Sequence, residues 1–192
     1  VVLAAETIEV AQGKYIALIS IGDAEAMRSM VPGVPVFWQV GVQVDAPEPG
    51  PVTLSLEATG SASLGLSADI RACSVKWIGT TCGGVESPVP VQGLVPVDTG
   101  PQVIGVMRDS EERWILVSAT VPQLNEGTVS LEIRAEGHSD SVAVGPGTIA
   151  MIARTGASYP LSMWLAVGAV SVGLLVAGAA RLARRSDARA ES

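Results

Sequence analysis

Along VPVFWQVGVQVD, residues Val34, Val36, Trp38, Val40, Val42 and Val44 alternate without a break with Pro35, Phe37, Gln39, Gly41, Gln43 and Asp45. A period of two is the period of a β-strand, whose successive side chains point to opposite faces of a sheet. The valine and tryptophan set is therefore expected in a core, and the other set on a mostly solvated face. A helix does not gather this pattern into one apolar stripe, because its faces recur at three and four residues.

The same period returns along the chain. After the turn-forming APEPGP, Val52, Leu54 and Leu56 alternate with Thr53, Ser55 and Glu57, which reads as a hairpin partner for the first run. Leu64, Leu66, Ala68, Ile70 and Ala72 form a third run. With KYIALISI near the start and PQVIGVMRD, RWILVSATV and TVSLEIRAE later, the count reaches at least seven strands, spaced about 10–15 residues apart. The 21 glycines and 12 prolines suit the many turns this requires. Nothing in the pattern supplies the long amphipathic helices of parallel crossovers, and DAEAMRSM offers one helical turn only. The expected fold is all-β: an antiparallel sandwich, immunoglobulin-like or jelly-roll-like, with a closed barrel as the alternative. Residues 1–145 are assigned to this domain, since roughly 150 residues suffice for a real core.

Few residues within that domain promise chemistry. Cys73 and Cys82 stand nine apart in CSVKWIGTTC and are expected to form a disulfide in an exported chain. Zinc would need more cysteines or more than the single histidine. Trp77, between the cysteines, suits either packing on the bridge or a place in an exposed binding loop. His138 adjoins Ser139 and Asp140 in AEGHSDS, but sequence neighbours do not converge as a triad and no GxSxG elbow occurs, so a solvated turn is expected. The acids of RDSEER, Asp109 to Arg113, read as a charged hairpin tip and do not follow the calcium-loop pattern. Phosphate-loop, HExxH and dinucleotide motifs are all lacking. No catalytic residue, metal or cofactor is assigned.

Charge divides the chain unevenly. Residues 1–153 carry seven Lys or Arg against seventeen Asp or Glu, a net of −10, whereas residues 181–192 carry four Arg against two acids. An acidic body excludes nucleic acid as a natural partner, because phosphate contacts need a cationic face. From Tyr159 to Ala180 no residue is charged, and Pro160 to Ala180 as a helix would reach about 32 Å, enough for a bilayer core of about 30 Å. Residues 159–181 are therefore expected to span a membrane in contact with lipid. Tyr159 and Trp164 sit near one edge of the apolar run, and Arg181, Arg184, Arg185 and Arg189 beyond the other hold the C-terminal tail, residues 182–192, in the cytoplasm. Residues 146–158 are left outside as a stalk.

Within that stalk, Ile152-Ala153-Arg154-Thr155-Gly156 resembles the LPxTG and LAxTG pentapeptides of sortase-anchored surface proteins of Gram-positive bacteria, which likewise place a polar motif, an apolar helix and a basic tail in that order. Ile152 stands for the usual Leu, and Ala153 matches the LAxTG variety. The resemblance covers about 40 C-terminal residues and implies that a sortase cysteine attacks the Thr155 carbonyl, breaks the Thr155–Gly156 bond and passes the chain to an amine of cell-wall peptidoglycan. The expectation is a non-enzymatic, acidic cell-surface protein for adhesion, binding or surface structure, with an undefined surface ligand. Its alternative is a permanently embedded single-pass accessory subunit. At the other end, VVLAA suits either the tail of a signal-peptide apolar region or a first strand.

Overall fold

The computed structural model describes residues 6–122, 126–146 and 148–151. Strands β1 (Thr7–Gln12), β2 (Ile16–Gly22), β3 (Val36–Val44), β4 (Pro51–Gly60), β5 (Ser67–Cys73), β6 (Glu86–Ser87), β7 (Gln92–Leu94), β8 (Gln102–Arg108), β9 (Arg113–Thr120), β10 (Gly127–Gly137), β11 (Asp140–Val144) and β12 (Thr148–Met151) follow one another in the chain. They form two antiparallel sheets. The first has the order β1-β2-β3-β9-β5-β6, with β7 also on β5; the second has the order β11-β10-β4-β8, with β12 also on β10. The molecule is thus an all-β sandwich of two open sheets, and neither closes into a barrel.

The alternation in residues 36–44 is realised as β3, with Trp38, Val40 and Val42 fully buried. Val34 departs from the expectation: it lies before the strand begins and is 50% exposed. A larger difference concerns β4, which pairs with β8 and β10 in the second sheet and not with β3. The APEPGP segment therefore carries the chain across the sandwich. Period two specifies which face is buried but not which neighbour completes the ladder. Thr148–Met151, assigned by sequence to the stalk, pairs with Ser130–Gly127 of β10, so the second sheet takes in residues beyond 145.

Between the sheets, Ile16, Leu18, Trp38, Val40 and Val42 from the first meet Val52, Leu54, Leu56, Leu131 and Ile133 from the second in one cluster. Each such side chain contributes about 1.5–3 kcal/mol by leaving water. Trp38 brings an indole N–H into this apolar layer and donates it to the Ser20 hydroxyl at 2.8 Å. Ser20 is one of only two buried polar residues among those described, and this bond explains its place, since an unbonded indole N–H there would keep its full desolvation cost.

The ends of the sandwich are closed by local devices. Helix α1 (Ala24–Arg28) starts where the Asp23 carboxylate accepts the N–H groups of Glu25 and Ala26, and it buries Met27 in the core. Elsewhere, β10 turns into β11 through His138 and Ser139, both at positive φ (53° and 56°), the two-residue hairpin geometry that matches sheet twist. Asp140, at the end of that turn, accepts the N–H groups of Tyr15 at 2.8 Å and Ile16 at 3.1 Å, so it clasps the second sheet to the first. These bonds, that from Tyr15 foremost, hold its carboxyl below the usual carboxylate range.

Candidate binding face

The outward side of the first sheet is more apolar than a solvated face should be. Ladder register places Ile8, Ile21, Gln39, Leu116 and Arg71 opposite one another across β1, β2, β3, β9 and β5. The adjacent row is Val10, Ile19, Gly41, Trp114 and Cys73. Ile21, Trp114 and Leu116 are buried there with Cys73 and Trp77, forming a second apolar cluster separate from the inter-sheet core.

What covers them is the disulfide loop. Cys73 and Cys82 are bonded, with Cα atoms 5.8 Å apart. The loop is closed at its neck by Ser74 N–H to the Val85 carbonyl (3.0 Å) and Val85 N–H to the Ser74 hydroxyl (2.9 Å). At its far end, Ile78 and Thr81 exchange backbone bonds around Gly79, whose φ of +58° suits glycine. Trp77 packs inward from this loop, 2% exposed, and donates its indole N–H to the Trp114 carbonyl at 3.0 Å. Of the two places considered for Trp77, packing on the bridge is the one found. The Arg71 guanidinium lies 4.8 Å from the Trp77 ring and donates to the Thr80 carbonyl, tying the tip back to β5. Beneath it, the Trp114 ring lies on Gly41, where an added Cβ would stand 2.7–2.9 Å from ring carbons. Glycine at 41 is the space the indole occupies.

Beside this covered zone the face opens into a groove of about 770 Å³. One wall is the α1–β3 segment with Met30, Val31 and Val34; the other is the loop tip at Gly79 and Thr80; Ile21, Phe37, Gln39 and Leu116 lie at its floor. Phe37 is 41% exposed and Ile78, next to the tip, is 80% exposed. The Gln39 side-chain oxygen is buried without a hydrogen-bond partner. A volume in the range of about 300–1,000 Å³, apolar walls and a convergent polar group are the marks of a ligand site.

Sequence reasoning assigned Phe37 and Gln39 to the outer face but missed the groove. Its signal lay in β2 and β9: IALISI and RWILV are apolar at nearly every position, as strands covered on both faces are.

Cys73 and Cys82 form the expected disulfide. The charged segment Asp109 to Arg113 joins β8 of one sheet to β9 of the other, so it is a crossover and not a hairpin tip; Glu111 bonds Arg113 at 3.1 Å. Among the described residues no three His, Cys, Asp or Glu gather as a metal site. His138 sits in a turn, with its ring over Gly50 and its Nε2 buried without a partner, which makes the turn less solvated than expected. Ile152, Ala153, Arg154, Thr155 and Gly156, the apolar run 159–181 and Arg181, Arg184, Arg185 and Arg189 all lie outside the described residues, as does VVLAA. No helix among the described residues is long and apolar enough to cross a membrane.

The chain matches no protein-family model and no curated protein.

Proposed function

We propose that the chain is a non-enzymatic cell-surface binding or adhesive module, exported and held from its C-terminus. The observation that carries this reading is the disulfide loop: its bond is of the kind that persists in oxidising compartments, and it walls an open apolar groove on the outer face of an acidic domain. Sorting residues Ile152 to Gly156, followed by an apolar segment and by Arg181, Arg184, Arg185 and Arg189, supply the anchor. The apolar segment halts the chain in the membrane with the arginines inside, which keeps the Thr155–Gly156 bond near a membrane-bound sortase and makes their encounter effectively intramolecular. The sortase thiolate then forms a thioester at the Thr155 carbonyl as the Gly156 amine leaves, and a wall amine resolves it. The fold we assign is jelly-roll-like in preference to immunoglobulin-like. In support, β3, β4 and β5, and again β8, β9 and β10, change sheets at every step, which sets β9 between β3 and β5 and β4 between β8 and β10.

The mass of the mature C-terminus tests the anchor. A chain ending at Thr155 and joined to a wall fragment supports it, and Thr155→Ala should then leave the protein in the membrane fraction with its fold intact. An intact Ser192 in cells that express a sortase overturns it. That result would favour the second reading, a permanently embedded single-pass subunit, toward which Ile152 in place of the usual Leu leans.

A further inference from the structure

We infer that the outer-face groove receives a peptide segment of a protein partner in which a lysine or arginine is flanked by apolar residues. This rests on the reading of the chain as a binding module and adds the chemistry of what is bound. Three observations point the same way. First, Val31, Val34 and Phe37 are exposed along the groove, and they continue into Ile8 and Val10 on β1 and Ile78 on the disulfide loop. A small molecule seated in the groove would leave those flanking residues in water, whereas a polypeptide spans them. Second, the charged groups lining the groove are the carboxylates of Glu6 and Asp23, with no Lys or Arg among them; the body they belong to is strongly acidic. Third, the Gln39 side chain lines the floor and its Oε1 is covered there without a donor, so that a turn of the side-chain amide is what would present it to one. An acceptor in that state is costly until a donor arrives. A cationic side chain whose alkyl stem lies on Phe37 supplies apolar contact, an N–H donor and opposite charge together. An acidic segment would meet two like charges and leave Gln39 unsatisfied.

The test is to pan a phage-displayed heptapeptide library on the full-length chain in lipid nanodiscs, counter-selecting on empty nanodiscs and on the Val34→Ser/Phe37→Ser variant. Both substituted residues are exposed, and an unchanged melting temperature of the variant checks that the fold persists. Peptides retained by the wild type and lost on the variant should carry Lys or Arg among apolar residues. A synthetic copy should bind the double variant at least tenfold more weakly, Gln39→Leu and Glu6→Gln about threefold more weakly, and Glu57→Gln on the opposite sheet equally well. Discriminating peptides that are acidic or uncharged overturn the inference, as does the absence of any discriminating peptide or an equal loss on Glu57→Gln. A chain that ends at Thr155 in cells and yet selects no such peptide would remove the occupant and leave the anchor standing.

Discussion

The two outer faces of the sandwich belong to strands of similar length and pairing, yet they solve opposite problems. On the second sheet, Arg134 at the centre of β10 pairs with Glu57 at 3.8 Å and Glu132 at 2.6 Å in an ordinary solvated surface; among the described side chains, its exposed large apolar residues are Val103 and Val106 on the β8 edge. On the first sheet the middle strands present Ile21, Trp114 and Leu116, and a disulfide-closed loop shields them. The alternation of a strand therefore assigns sides, while the fate of the second side depends on whether the chain has a segment to lay over it. Here twelve residues after β5 do that, and the groove is where the cover stops.

If the covered zone is a true second core, its loss should be felt as a core loss. Trp114→Ala is expected to destabilise by about 3–5 kcal/mol, the range for emptying a buried aromatic site, read as the midpoint shift in chemical denaturation. A cost below about 1 kcal/mol would reduce the loop to a loosely attached flap. Replacing Cys73 and Cys82 together by alanine should cost about 2.5–3 kcal/mol, from the freedom regained by a loop of about ten residues in the unfolded chain; free thiols in protein isolated from its native cells without reductant would contradict the pairing. Gly41→Ala should cost about 1–3 kcal/mol, because the new methyl displaces an indole pinned between sheet and loop; the same change at Gly33, where nothing lies within 4 Å of the added atom, meets only the strain of its positive φ.

Asp140→Ala tests the clasp that both sheets share. The folded carboxyl titrates below its unfolded counterpart, so its stabilisation is complete above the ordinary carboxylate value of about 3.9 and is lost as pH falls through the folded value. Wild type and variant should differ near neutrality and converge in acid; a constant gap across that window would assign the effect to packing. The smallest effect is expected on the polar face, where Arg134→Ala should change stability by under about 1 kcal/mol and less in high salt.

How legible all this was in the sequence depends on the range of the interactions. Trp38, Val40, Val42, Leu54, Leu66 and Ile70 declare their burial through local period alone, and the cysteines declare their bond through spacing. Partner choice is another matter: β4 leaves β3 for β8 and β10 because the inter-sheet core requires both layers, and no feature of residues 51–60 records that. The groove was hidden for the same reason. Gln39 and Phe37 look like ordinary outward residues until β2, β9, the α1–β3 segment and the loop at Gly79 converge around them from positions up to about a hundred residues apart. Trp114 and Ile21 did leave a trace, in strands apolar on both sides.

The short register of β12 has a mechanical consequence. If the chain is tethered from its C-terminus as proposed, tension enters the domain at Met151, where β12 holds β10 through only four residue pairs. Behind it β11 holds the same strand through five. A pull would thus strip two brief ladders in turn, the second drawing Val142 and Val144 out of the inter-sheet core and releasing the Asp140 clasp, before reaching β10 and β4 with their eight pairs. The first yield, that of β12, would lengthen the leash by a few residues, at roughly 3.3–3.6 Å per residue, and leave β11 and the Asp140 clasp in place.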